Sequence, residues 1–402
     1  MFVGSYFSIL LILRFCFFLF TFLFFLFFFR SSPTEMKLYI LEECIVILVH
    51  SKLKWCAKGP ARPRFAHELR CAMAPVREIL VMVSLLKASL AVFSAAADKL
   101  ELGYYSETCP NLEEILATSA KLKLAEAPTT PAAVVRLLFH DCFIEGCDAS
   151  IMITSTPDNL AERDAEVNRD LAGDGFDAVV RAKAAVEAEC PGVVSCADIL
   201  VIIARNFIEL TGGPSYPVLK GRKDGFISEA ARVQDNLPGS TLNLHQLLRN
   251  FKSKGLDMED LVVLSGAHTF GFAHCKQFHK RLYNFSRDRA MDPRLPPVFA
   301  SSLKAACPER GDDPGLVLPF DPSTPFAFDN SYYKTLVAGN ALLISDETLL
   351  AKRKTREMIR EFARDEQKFY QEFGAAMQRL SSVGVKVGSD GDVRRDCTAF
   401  NR

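Results

Sequence analysis

Residues 134–150 read VVRLLFHDCFIEGCDAS, and this stretch decides how the rest of the chain is read. Its first half is an apolar run broken by Arg136 and His140, four residues apart and therefore on one face of a helix, with Phe139 beside them. A lone His and Arg on a helix are more often structural than catalytic. Here they interrupt a strongly apolar helix, where an unpaired guanidinium is costly to bury, so a site is favoured over a solvated face. In the second half, Asp141, Asp148 and Ser150 alternate with loop carbonyls across the tight span from Cys142 to Cys147. Hard oxygen donors on so constrained a loop suit Ca²⁺. A polar turn closed by a disulfide is the plainer reading, and spacing alone leaves both open.

Working outward, apolar residues recur mostly at helical period between Pro and Gly turns. The pattern predicts helices over 111–125, 177–189, 195–211, 244–254, 258–268 and 355–381. A further helix starts at 130, with Thr130 as N-cap and Pro131 at the first helical position. Strand signals are few and short, so the expectation is a mainly α-helical domain with long structured loops. A second chemical signal is DLVVLSGAHTFG, residues 260–271, where His268 ends an apolar helix behind Ser265, Gly266 and Ala267. Small residues let a flat ligand approach the backbone, and a His can ligate its metal; a lone His at a helix end is more often a cap. Residues 321–329, DPSTPFAFD, form another oxygen-rich loop, and Asp346 after Ser345 could orient a ligating His.

The composition is uneven along the 402 residues, with twelve of the 32 Phe in the first 29 positions. The segment 7–29 is long enough to span a bilayer and carries only Arg14. Residues 73–97 have a short basic start, an apolar middle and a Ser-Ala-Ala-Ala end, the three regions of a secretory signal peptide. Residues 1–72 are read as an upstream extension of doubtful status, with a true membrane anchor as the sharper alternative. Residues 98–402 are ample for a buried core. A formal net charge of zero gives no support for a nucleic-acid or membrane-surface binder. Of twelve Cys, Cys16, Cys44, Cys56 and Cys71 precede Met73, and eight follow the signal segment. An even number there implies a disulfide framework, whereas no Cys or His spacing suits zinc. Eight Cys allow about 105 pairings, so spacing cannot choose among them.

RLLFHDCFIEGCDAS and LSGAHTFG in this order and spacing resemble the secreted plant haem peroxidases, class III, over residues 102–397. The resemblance implies the haem-peroxidase fold, mainly α, with helices in two subdomains sandwiching the haem and few short strands. It implies disulfides Cys109–Cys190, Cys142–Cys147, Cys196–Cys397 and Cys275–Cys307. Arg136 and His140 match the distal pair, Phe139 the distal aromatic of the haem pocket, His268 the iron ligand and Asp346 the carboxylate behind it. Asn168 matches the residue that orients the distal His. Pro238 matches the proline at the haem edge where donors dock. Asp198 and Arg222 match a structural ion pair. One Ca²⁺ is implied at Asp141, Ile144, Gly146, Asp148 and Ser150, with Ile144 and Gly146 acting through carbonyls and Glu162 through water. A second is implied at Thr269, Asp321, Thr324, Ala327 through its carbonyl, and Asp329.

The implied activity is that of a secreted peroxidase of the cell wall or apoplast, active in the response to oxidative stress. It carries one haem b and two Ca²⁺, reduces hydrogen peroxide and oxidises small phenolic donors in successive one-electron steps. A monomer is expected, without nucleic acid or stable membrane association. Two local departures, Tyr216 after the Gly-Gly-Pro-Ser turn and Lys276-Gln277 after Cys275, leave donor preference open, and residues 1–72 have no counterpart in the family. A catalytically silent scaffold need not keep all of Arg136, His140, Asn168, His268 and Asp346. An intracellular peroxidase using ascorbate is opposed by eight framework Cys behind a signal segment. The sequon at Asn284 permits glycosylation.

Overall fold

The computed structural model describes residues 99–310 and 315–401. All the described residues fall in one compact unit. The apolar segment 7–29 and the signal segment 73–97 lie outside the described residues. No helix among the described residues is long and apolar enough to cross a membrane.

The first four helices are α1 (Leu112–Glu126), α2 (Thr130–Ile144), α3 (Gly173–Glu189) and α4 (Cys196–Leu210). They pack as a group in which α1 and α2 each contact both α3 and α4. Helix α4 carries ILVII in its middle and is buried nearly all round, as expected of a helix with no polar face. Ser195 starts it, its hydroxyl accepting from the Asp198 amide at 3.2 Å. The start of α2 differs from expectation. Thr130 lies inside the helix, Thr129 stands at the cap without a side-chain bond, and Pro131 still falls in the first turn where its missing N–H costs nothing. Helix α3 begins earlier than its apolar spacing suggests, because Gly173, Asp174 and Gly175 form a first turn with no apolar period to mark it.

Then follow α5 (Leu244–Ser253), α6 (Met258–Ser265), α7 (His279–Leu282), α8 (Pro297–Ala306), α9 (Ser331–Val337), α10 (Ile344–Glu347), α11 (Arg353–Arg364) and α12 (Glu366–Leu380). A two-stranded antiparallel sheet pairs β1 (Phe272–His274) with β2 (Val317–Pro319), Phe272 opposite Pro319. Capping boxes at Asn243 and Asp257 start α5 and α6. Helix α6 stops at Ser265, and His268 sits in the 3₁₀ turn Gly266–Thr269, not at the end of the α-helix. The helix expected over 355–381 is two helices. Asp365 is extended (φ −125°, ψ 93°), and its carboxylate accepts from the Lys368 amide at 2.9 Å, capping α12.

The main core runs through both helical groups, and a smaller one gathers Ala273, Phe278, Leu282, Leu303 and Leu342 around Cys275–Cys307. The other disulfides are Cys109–Cys190, Cys142–Cys147 and Cys196–Cys397, so all four pairs coincide with those the resemblance implies. Cys196–Cys397 spans 201 residues; closing so long a loop removes denatured-state freedom worth about 5 kcal/mol in the chain-entropy picture. Asp198 and Arg222 form a fully buried ion pair at 2.9 Å. Tyr105 Oη and the Gly221 amide donate to Asp198, and Ser381's carbonyl accepts from Arg222. With every polar atom partnered, the pair is tolerable in the core.

Candidate active site

Helix α2 presents Ala132, Ala133, Arg136 and Phe139 half-open to solvent, while Val134, Val135, Leu137, Leu138 and His140 are buried. His140 Nδ1 lies 2.7 Å from Asn168 Oδ1. Asn168 Nδ2 donates to the Glu162 carbonyl at 2.7 Å. The amide nitrogen being committed there, Oδ1 must accept, so His140 carries its proton on Nδ1 and leaves Nε2 as a bare base. Burial, and after it the charge of Arg136, depress the His140 pKa from its ordinary value to about 3. Arg136 Nη1 donates to the Asp170 carbonyl at 2.9 Å. Burial lowers the affinity of this guanidinium for its proton, and Asp170 partly restores it; arginine remains a cation at any working pH.

The second histidine is built in the same way. His268 Nδ1 is 2.9 Å from Asp346 Oδ1, which fixes the proton on Nδ1 and leaves Nε2 for a metal. Phe320 stacks on the ring, 4.2 Å between centroids and 4° from parallel. The His268 side chain is 36% exposed although Gly266 and Thr269 on either side are buried. The two segments meet at Gly271. Its φ of +87° suits glycine, and a Cβ there would stand 2.7 Å from Ala132 Cβ at the start of α2. A second tie is the ion pair of Lys276 with Asp170 at 2.6 Å.

A half-open helix face with a neutral His and a cation, joined near Gly271 to a segment whose half-open His keeps its outer nitrogen free of the Asp346 bond, offers donors that suit a flat metal-bearing macrocycle such as haem. Histidine is a common axial ligand for its iron, and the partly open small residues Ser265 and Ala267 leave room for the ring.

Two oxygen-rich loops flank these histidines. On the first, Asp141, Asp148, Ser150 and Glu162 are all buried. Ser150 Oγ donates to Glu162 Oε2 at 3.0 Å, and Asp141 accepts from the amides of Ala149 and Ile151. Burial and mutual repulsion push the Asp141 carboxyl well above its usual range, and that of Glu162 to about 9. Such crowding of acid groups is what a cation relieves. Gly146 has φ +143°, and any Cβ there would run into the Gly384 carbonyl, so this loop is closed against the chain's far end. The Ile144 carbonyl accepts from Lys254 Nζ at 2.8 Å, so one lone pair of this oxygen is already engaged.

On the second loop, Thr324 Oγ1 is 2.5 Å from Asp321 and 2.6 Å from Asp329, and Thr269 Oγ1 is 2.7 Å from Asp329. One hydroxyl proton cannot serve both carboxylates, so an oxygen–oxygen contact is left for a cation to bridge. No three His, Cys, Asp or Glu side chains among the described residues converge on a metal position. A cation at either loop would need hydroxyl and carbonyl oxygens as well, a donor set that suits calcium better than zinc.

Pro238 is half-buried in the loop after Asn236, and Ser240 Oγ holds that loop to Gln277 at 2.9 Å. Sequence reasoning missed Tyr332, Phe320 and the Lys276–Asp170 tie. Phe320 directly precedes the acidic Asp321, and Tyr332 follows the Asp329 loop by three residues; neither carries a spacing signal toward His268.

A family model described as Peroxidase matches residues 116–365. Peroxidase 55 of Arabidopsis thaliana is 46% identical over 313 residues, covering 77% of this chain and 94% of the relative. Peroxidase 19 of the same plant is 47% identical over 305 residues, 75% of this chain and 88% of the relative. Peroxidase 51 is 44% identical over 331 residues, 82% of this chain and 100% of the relative.

Proposed function

Because the chain belongs to the peroxidase family, we propose that residues 98–402 are its catalytic domain, with one haem b held by His268 and two calcium ions in the flanking loops. It is a haem-dependent oxidoreductase that uses hydrogen peroxide to oxidise donor substrates. The observation that carries the finer reading is the matched anchoring of the two histidines, His140 to Asn168 and His268 to Asp346, each through Nδ1.

When bound, the haem supplies redox-active iron at which the peroxide O–O bond is broken and from which two oxidising equivalents are drawn. The chain supplies the proton and the charge. His140 Nε2 takes a proton from one peroxide oxygen and returns it to the other, which then leaves as water. A ring whose pKa is near 3 is neutral at neutral pH and ready for the first half of that transfer. Arg136 faces the same space and offsets negative charge on the departing oxygen. His268 donating to Asp346 gains imidazolate character, which favours the more oxidised iron.

Small phenols docking near Pro238 are the proposed donors, oxidised one electron at a time. The first calcium set is Asp141, Ile144, Gly146, Asp148 and Ser150 with Glu162 behind; the second is Thr269, Asp321, Thr324, Ala327 and Asp329. Asp141 and Thr269 directly follow His140 and His268, so each ion would brace one histidine. Residues 73–97 are proposed to direct secretion to the cell wall or apoplast, where the chain acts as a monomer. The deciding experiment is the haem spectrum and guaiacol turnover of the purified protein. A Soret band that shifts on peroxide addition, with turnover lost in His140→Ala while haem stays bound, is expected. A bound haem that ignores peroxide would make the chain a silent scaffold.

A further inference from the structure

We propose that Tyr332 is a positioning residue of the proximal site, sharing with His268 one oxygen of Asp346 and thereby limiting how strongly that carboxylate draws on the imidazole. The inference rests on the reading of His268 as iron ligand with Asp346 behind it. Asp346 Oδ1 accepts from His268 Nδ1 at 2.9 Å and from Tyr332 Oη at 3.0 Å. Carboxylate and phenol are 3% and 4% exposed, so neither bond is diluted by water. The Tyr332 ring stands edge-on to the imidazole, 6.0 Å between centroids at 81°, while Phe320 lies flat against it. The imidazole is thus held by two rings, and one of them reaches past it to the same oxygen.

The direction of the effect follows from who donates. In the bond between Tyr332 Oη and Asp346 the phenol is the donor, because a carboxylate can only accept. Oδ1 spends part of its negative charge on that phenol and has less for the His268 N–H. Asp346 promotes imidazolate character in His268, and Tyr332 opposes it. The backbone also gives Tyr332 a link to the second oxygen-rich loop, for Asp329 Oδ1 accepts from the Ser331 amide at 2.8 Å at the start of α9. A change in that loop therefore reaches His268 along two routes, through Thr269 beside it and through Tyr332.

The test compares Tyr332→Phe and Asp346→Asn with the wild-type haem-loaded protein. It reads the ferric/ferrous potential and the iron–histidine stretching frequency of the ferrous form, neither of which a purely space-filling ring would move. Tyr332→Phe is expected to lower the potential and raise the frequency; Asp346→Asn is expected to do the reverse. Both readouts unchanged in Tyr332→Phe, with Asp346→Asn shifted, would overturn the role of Tyr332 and leave the proximal assignment standing. Asp346→Asn without effect would overturn the assignment and the proposal together. Should Tyr332→Phe fail to fold, 3-fluorotyrosine placed at 332 keeps the shape and donates more strongly. It should raise the potential and lower the frequency; no shift, or the opposite one, refutes the proposal.

Discussion

Asn168→Leu separates the orienting role of this amide from simple packing. Asn168 is 1% exposed and makes two bonds of 2.7 Å, accepting from His140 and donating to the Glu162 carbonyl. Leucine fills a similar space and makes neither. The His140 N–H then has no acceptor on that side, and the tautomer with a bare Nε2 loses the bond that selects it. An unmade buried hydrogen bond costs about 1–3 kcal/mol, and each 1.4 kcal/mol is tenfold in a rate or a population. The reaction with peroxide, followed by stopped flow on the haem-loaded protein, should therefore slow by about 5- to 150-fold. The Glu162 carbonyl keeps its bond from the Ala165 amide at 3.1 Å, so losing the Asn168 donor should cost only about 0.5–1.5 kcal/mol of unfolding free energy. Asn168→Asp keeps an acceptor for the N–H and should recover most of the rate at neutral pH. Its negative charge should also raise the His140 pKa and move the acid limb of the rate profile upward. A peroxide rate for Asn168→Leu within about twofold of wild type, with haem bound, would refute the tautomer argument.

With His140 held near pKa 3, the base is protonated only in strong acid, so the peroxide rate should stay nearly flat from neutral pH to about 4 and fall below; a midpoint near 6.5 would show the ring solvated. Chelation should lower thermal stability and activity together, since the crowded carboxylates of both loops would then face one another without a cation; purified protein free of calcium by metal analysis would end the two-ion proposal. The sole Trp, Trp55, lies upstream of the proposed signal segment, so N-terminal sequencing should find Asp98 or a neighbour and the secreted protein should show no tryptophan emission. Residues 1–72 on the native protein would favour the anchored alternative.

Much of this protein is legible along the chain because its signals are local. Arg136, Phe139 and His140 share a helix face through the 3.6-residue period alone, and small residues before His268 mark a close approach whatever the rest does. The apolar run of α4 announces a helix without a wet side, and Pro131 marks the first turn of α2. Boundaries were less legible where two local preferences compete: Asp365 can sit within a helix or cap one, and in the fold it caps α12. The pairings that make a site of these residues are long-range, 28 residues from His140 to Asn168 and 78 from His268 to Asp346. No periodicity reaches so far, and a family resemblance supplies them only by analogy. The convergence of Tyr332 on the oxygen already used by His268 and the tie of Lys276 to Asp170 had no sequence signal at all. Side-chain type limits what a residue can donate or accept; which partner stands within 3 Å is decided by helix packing and loop closure. Only the folded chain holds those in place.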